Sequence, residues 1–343
     1  MNHRILASLG VMPLVLGVAI SAFAQAQKAT PAPAAKPATA KVWTVGRTPD
    51  GQPDLQGYWT NNSYTPLQRP NGVTKEFYTE QEWLEQNKRN AERENQQTEP
   101  GTTADVHYDF TQFGLDRSQT RLVHNLRTSV ITEPANGKLP PTTAEGQKRA
   151  ADKAAARRAE GAQYDKVQNI VLGSRCVYSG GAPPMMPPGY NPAYQIIQSP
   201  GYVTILIEMQ HETRVIPLDG RPHAPAAVRS FLGDSRGHWE GDTLVVETTN
   251  FNDKVAFQGA SENMKVTERF TRLSDDEIKY EFTVNDPSTW EVAWKGQMPF
   301  VKIGGPVFEH ACTEGNFGIA NTLAAVRLEE KKAAEEAAKK NAK

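Results

Sequence analysis

The sequence predicts a mainly β protein, an antiparallel barrel or sandwich with a helical insertion and a C-terminal helix. Three observations point there. From Tyr194 to Ile303, short runs rich in β-branched and aromatic residues alternate with turn pairs such as Pro200-Gly201, Asp219-Gly220 and Glu240-Gly241, as sequential strands do. Between the first strand-like run and these lie two polar stretches with helix signals. After the last run the chain becomes almost entirely Glu, Lys and Ala, which favour helix.

In order, the chain opens with His3 and Arg4, an apolar run from Ile5 to Ala22, and small residues at Ala22 and Ala24. This is the pattern of a signal peptide over residues 1–24, with cleavage expected after Ala24 or Ala26. Gly10, Pro13 and Gly17 interrupt the run, which argues against a permanent anchor. Residues 25–41 are mostly Ala, Pro, Thr and Lys and read as a disordered linker. The expected location is therefore periplasmic or extracellular. No later stretch is apolar enough to span a bilayer, and the mean hydropathy is -0.57. A single β-rich domain is expected over 42–325, with the helical insertion at about 75–165 and a charged helical tail over 326–343. Lys and Arg total 38 against 39 Asp and Glu, a formal net charge of -1. No global basic field exists to draw the protein to nucleic acid.

Gly57-Tyr58-Trp59-Thr60 follows the turn-rich Thr48-Pro-Asp-Gly-Gln-Pro-Asp54 and reads as the first strand. Thr79-Glu-Gln-Glu82 is a capping box, in which hydroxyl and carboxylate satisfy each other's orphan amides. It starts a solvated helix over Trp83–Asn95. Arg127–Glu133 is strand-like and turns at Pro134-Ala-Asn-Gly137. A second helix is expected from Thr143 to Ala159, ending near Gly161. Then come strands at Tyr194–Ser199, Tyr202–Met209, Thr213–Leu218, Asp242–Phe251, Lys265–Leu273 and Ile278–Asp286, an extended Trp290–Ile303, and a helix from about Asn321.

Parity sharpens the two hairpins, because a one-residue slip turns a whole row outward. In the later one, Val266, Phe270, Tyr280, Phe282 and Val284 share a face if the loop centres on Asp275. Phe270 then faces Tyr280, Val266 faces Val284, and Glu268 faces Phe282 inside the apolar row. A carboxylate there sits at the barrel mouth or has a partner, since burying it unpaired is costly. In the earlier hairpin, a loop at Gln210-His211-Glu212 sets Glu208 opposite Arg214, Leu206 opposite Ile216 and Thr204 opposite Leu218. Cys176 and Cys312 are the two cysteines. In an oxidising compartment they read as one disulfide, with a reactive thiol or a metal ligand as the alternatives.

The Gly-x-Trp opening and the helix after the last strand resemble the lipocalin-like (calycin) layout. That resemblance implies a barrel whose interior holds one small ligand. At family level, Gly46-Arg-Thr-Pro-Asp-Gly-Gln-Pro-Asp-Leu-Gln-Gly-Tyr-Trp59, Asp234-Ser-Arg-Gly-His-Trp-Glu-Gly-Asp-Thr-Leu-Val-Val246 and Glu309-His-Ala-Cys-Thr-Glu-Gly-Asn316 resemble a large group of uncharacterised secreted proteins found in Acidobacteria and some Proteobacteria. The resemblance implies export and a shared fold, and no activity.

Gly233-Asp-Ser-Arg-Gly237 fits the Gly-x-Ser-x-Gly pattern of a nucleophile elbow. It lacks the preceding strand and following helix that lift such a serine, and reads as a tight loop. The densest polar stretch holds Asp219, Arg221, His223, Arg236, His238, Glu240 and Asp242, placed at one end of the barrel. Of these, His223, His238, Glu240 and Asp242 are the candidates for acid–base catalysis. Glu208, Arg214, Arg221, Glu268 and Tyr280 are the candidates for holding a small organic ligand. His211, His223 and His238, with Glu208 or Glu240, lack the spacing of a zinc site, so no metal is expected. No glycine-rich phosphate loop appears, so no cofactor is expected either. Pro183-Pro-Met-Met-Pro-Pro188 reads as a rigid covering loop. Three functions follow: a small-molecule-binding barrel, a secreted lyase or hydrolase, or an envelope scaffold.

Overall fold

A computed structural model describes residues 43–94, 121–178, 180–254 and 257–341. The expected signal peptide and linker, residues 95–120 of the helical insertion, and the last two residues of the tail lie outside these. Among the described residues there are ten strands: β1 (Gly57–Thr60), β2 (Ile131–Glu133), β3 (Ala193–Ser199), β4 (Tyr202–Ile207), β5 (Thr213–Pro217), β6 (Asp234–Glu240), β7 (Thr243–Thr249), β8 (Lys265–Arg272), β9 (Glu277–Asn285) and β10 (Trp294–Lys302). Their order is β5-β4-β3-β1-β10-β9-β8-β7-β6, with β2 paired on β10. Every ladder is antiparallel. The two ends of that order, β5 and β6, lie beside each other, so the nine strands form a nearly closed barrel. Closure is what removes exposed sheet edges.

The β8–β9 hairpin forms because its apolar residues alternate. Val266 pairs with Val284, Glu268 with Phe282 and Phe270 with Tyr280, the register expected from parity, and all six are buried. The β4–β5 hairpin departs from expectation. Leu206 pairs with Thr213, Ile205 with Arg214 and Val203 with Ile216. Gln210 and His211 take left-handed backbone angles, with φ of 57° and 54°, and the Ile207 N–H donates to the Glu212 carbonyl at 2.8 Å. This turn moves the register by an odd number of residues. Glu208 is therefore not opposite Arg214, and Arg214 points inward beside Ile205.

Where the Gly233–Gly237 pattern predicts a tight loop, the chain forms strand β6. Its inward residues are Ser235, Gly237 and Trp239, too polar, small or bulky to read as a β row, while Asp234, Arg236, His238 and Glu240 point outward. Gly237 is demanded by close approach. A Cβ there would lie 2.7 Å from Leu218 Cδ2 and 2.8 Å from Ile216 Cγ2 across the seam.

Among the described residues there are three α-helices: α1 (Glu80–Glu94), α2 (Ala144–Ala159) and α3 (Phe317–Asn341). The capping box of α1 is present, with the Thr79 N–H donating to Glu82 at 2.8 Å and the Glu82 N–H to the Thr79 hydroxyl at 3.3 Å. Thr143 caps α2 through the Gly146 N–H. None of the residues of α3 is buried. Cys176 and Cys312 form a disulfide.

The interior is filled by side chains. Phe270 and Tyr280 rings lie 4.9 Å apart, Tyr280 and Phe300 5.3 Å, and Phe282 and Trp294 5.7 Å. Each such ring contributes about 2–3 kcal/mol through removal of apolar surface from water. Met185, from the Pro/Met run, is itself buried in this core. The run thus plugs the barrel as well as covering it. Among the described residues, these rings and Met185 pack together inside the barrel, where the expected ligand chamber would lie.

Candidate ligand site at the barrel seam

Within that apolar filling sits one buried ionic cluster. Arg214 on β5 reaches across to Glu268 on β8, donating from Nη1 at 3.0 Å and from Nη2 at 2.5 Å. The two side chains are 1% and 0% exposed. The Tyr280 hydroxyl donates to the same carboxylate at 2.8 Å and accepts from the Met185 N–H at 2.8 Å. Burial, with the Glu268 charge alongside, holds that phenol well above its ordinary pKa, so it serves as a donor. Arg214 Nη2 also approaches the Ser235 hydroxyl at 3.4 Å, and Ser235 shares a hydrogen bond with Thr248 at 2.9 Å. Burial disfavours the guanidinium charge, but Glu268 outweighs it and the net displacement of the Arg214 pKa is upward. Arg214 therefore keeps its charge.

The seam between β5 and β6 is an open cleft of ≈ 400 Å³, lined among others by Glu212, Arg214, Val215, Phe231, Leu232 and Ser235. Residues from both faces of β5 line it, exposed Val215 and buried Arg214. Phe231 is backed by Tyr178, stacked at 5.5 Å. Two polar atoms here are buried and have no hydrogen-bond partner among the described residues: Arg214 Nε and Glu212 Oε2. Such atoms cost about 1–3 kcal/mol each. Burial pushes the Glu212 carboxyl up to about 8. A larger hollow, ≈ 640 Å³, lies away from this cluster, against Cys312, Tyr190 and the start of α3.

Of the expected ligand residues, Arg214, Glu268 and Tyr280 do come together. Glu208 does not, because its carboxylate accepts from Asn191 at 2.7 Å and from the Phe308 N–H at 3.1 Å, pinning two loops. Arg221 is on the exterior, paired with Asp219 and 3.1 Å from the Tyr202 hydroxyl. The catalytic candidates are split instead of clustered. His223 Nδ1 lies 2.7 Å from Asp234 and Nε2 lies 3.4 Å from Glu247, so both ring nitrogens are engaged. His238 lies 3.2 Å from Glu240, which also binds Arg269 at 2.8 Å, and Asp242 binds Arg47 at 2.6 Å. Asp234 and Glu240 are opposite ends of β6, so these groups share no site at one barrel mouth. Ser235 is on a strand, turned toward Arg214, with no helix after it. Among the described residues, no three His, Cys, Asp or Glu side chains converge as metal ligands would.

Sequence reasoning missed Glu212, Phe231, Ser235 and Thr248. Nothing local marks the second strand of the seam, whose inward row is Ser235, Gly237 and Trp239, and nothing local marks Glu212.

No family model matches the chain, and no curated protein matches it. Among solved structures, the crystal structure of a "secretary abundant heat soluble (SAHS) protein" from Ramazzottius varieornatus is similar at 10% identity. The alignment covers 32% of this chain and 70% of that one, with a TM-score of 0.22. The barrel assignment stands on the strand pairing alone.

Proposed function

We propose that this is an exported small-molecule-binding barrel whose ligand enters at the β5–β6 seam and not at the barrel's centre. The observation that carries the reading is the pair of buried, unpartnered polar atoms, Arg214 Nε and Glu212 Oε2, on residues lining one apolar-walled cleft. Binding pockets combine this kind of wall with a few placed polar groups. A buried ion pair is seldom the most stable filling for a core, so its place beside the cleft supports a positioning role. Export is supported by the N-terminal pattern of residues 1–24 and by the disulfide, which persists in oxidising compartments.

Native mass spectrometry of the mature protein from its own envelope fraction tests this. The expected result is a co-purifying small molecule that disappears in Val215→Trp, which fills the cleft from its exposed face. A molecule retained by that variant, or none bound by the native protein, overturns the proposal.

A further inference from the structure

One carboxyl lining the cleft, Glu212, has no basic partner among the described residues, and that vacancy identifies a ligand class. Arg214 is answered by Glu268, and Arg236 is answered by Asp234 at 2.7 Å, with His223 on the same carboxylate. Glu212 lines the same cleft, yet no Lys, Arg or His forms an ion pair with it among the described residues. Its Oε2 is buried without a donor. The Coulomb field of Glu212 is felt by Tyr178, whose phenol is pushed up by burial and by that carboxylate. Phe231, stacked on Tyr178, presents an aromatic wall to the cleft.

Resting on the seam reading above, we infer that the cleft takes a small molecule carrying a protonated amine on an apolar or aromatic body, with Glu212 as its counter-charge and Phe231 as its wall. An anion would meet a guanidinium already committed to Glu268, beside a second carboxylate. A bare metal ion would find too few donors. An ammonium supplies the three N–H donors and the positive charge that Glu212 lacks, and aromatic faces attract it further. Because burial favours the protonated acid, the amine displaces the Glu212 proton as it binds. The proton leaves to solvent and no covalent bond to the ligand forms. The titratable group in electrostatic contact with Glu212 is Tyr178, and Arg214 and Asp234 line the same cleft.

The test is calorimetric titration of the full chain with 2-phenylethylamine and with its uncharged counterpart 2-phenylethanol, from pH 6 to pH 8. The amine is expected to bind at least about tenfold more tightly than the alcohol. Its affinity should rise roughly tenfold between pH 6 and pH 7, as linkage to one proton requires. Glu212→Gln should weaken the amine about tenfold or more, leave the alcohol unchanged, and erase the pH dependence. Equal binding of both probes, lost in Val215→Trp, overturns the cation assignment while leaving the cleft as a ligand site. Unchanged amine affinity in Glu212→Gln overturns it as well. Binding of neither probe overturns it too, and the mass-spectrometric result then decides the cleft separately.

Discussion

Removing one partner of the Arg214–Glu268 pair should destabilise the protein far more than removing both. Glu268 is 0% exposed and accepts two bonds from Arg214 and one from Tyr280. Glu268→Leu strands a guanidinium inside the barrel, and Arg214→Met strands a carboxylate. Each single change is expected to cost about 3–5 kcal/mol, the usual penalty for an orphaned buried charge. In a domain of this size that lowers Tm by about 2–4 °C per kcal/mol. The double variant leaves no charge behind and puts apolar volume among Phe270, Phe282 and Ile205. It should fall within about 1 kcal/mol of the native protein, or exceed it. The assay is urea unfolding of the four proteins as a double-mutant cycle. Additive costs, with the double variant destabilised by the sum of the singles, would falsify the claim that the two charges neutralise each other. A single-variant cost below about 1 kcal/mol would show the pair to be solvated and the barrel open.

Three further outcomes are checkable. Gly237→Ala places a methyl against Leu218 and Ile216 at the seam and should cost about 1–3 kcal/mol as overpacking; an unchanged unfolding midpoint refutes the close approach. Glu212 is protonated in the native state up to about pH 8 but ionises near its ordinary value once unfolded, so its contribution is complete at low pH and is lost as pH rises through that window. After allowance for partial solvent access, the loss is about 1–3 kcal/mol, and Glu212→Gln should gain stability relative to the native protein from pH 5 to pH 8. A parallel pair of pH profiles rules this out. Replacing Cys176 and Cys312 together by Ser frees a loop spanning 136 residues, which the chain-entropy account values at up to about 5 kcal/mol; an unfolding midpoint indifferent to the substitution contradicts it.

What could be read from sequence was whatever alternation or capping marks locally. The β8–β9 register was legible because five apolar residues of one parity tolerate a single pairing. The same reasoning placed Glu268 either at the barrel mouth or beside a partner. It did not name Arg214, because β5 meets β8 only when the barrel rolls up, and no rule of neighbouring residues encodes that. The β4–β5 register was illegible for a different reason. Two non-glycine residues, Gln210 and His211, adopt left-handed conformations that their side chains do not announce. For β6, the close approach at Gly237 and the inward hydroxyl of Ser235 replaced the apolar residues that would have declared a strand. Grouping His223 with His238 followed from their nearness along the chain, which an extended strand converts into distance.

β1 occupies the place in the wall between β3 and β10, pairing Trp59 with Tyr194 on one side and with Lys302 on the other. The ribosome makes this strand before either neighbour, and its second neighbour comes close to the end of the barrel. Until then Trp59, among the largest side chains of the finished core, has no cavity to enter. The strands from β3 to β10 can be pictured as an unfinished ring waiting for its earliest-made segment, which has only four residues with which to hold on. Contacts so distant along the chain make folding slow, and they confer a kind of quality control. A chain truncated before β10 cannot complete the wall, and a chain shorn of β1 retains a gap flanked by two unsatisfied strand edges.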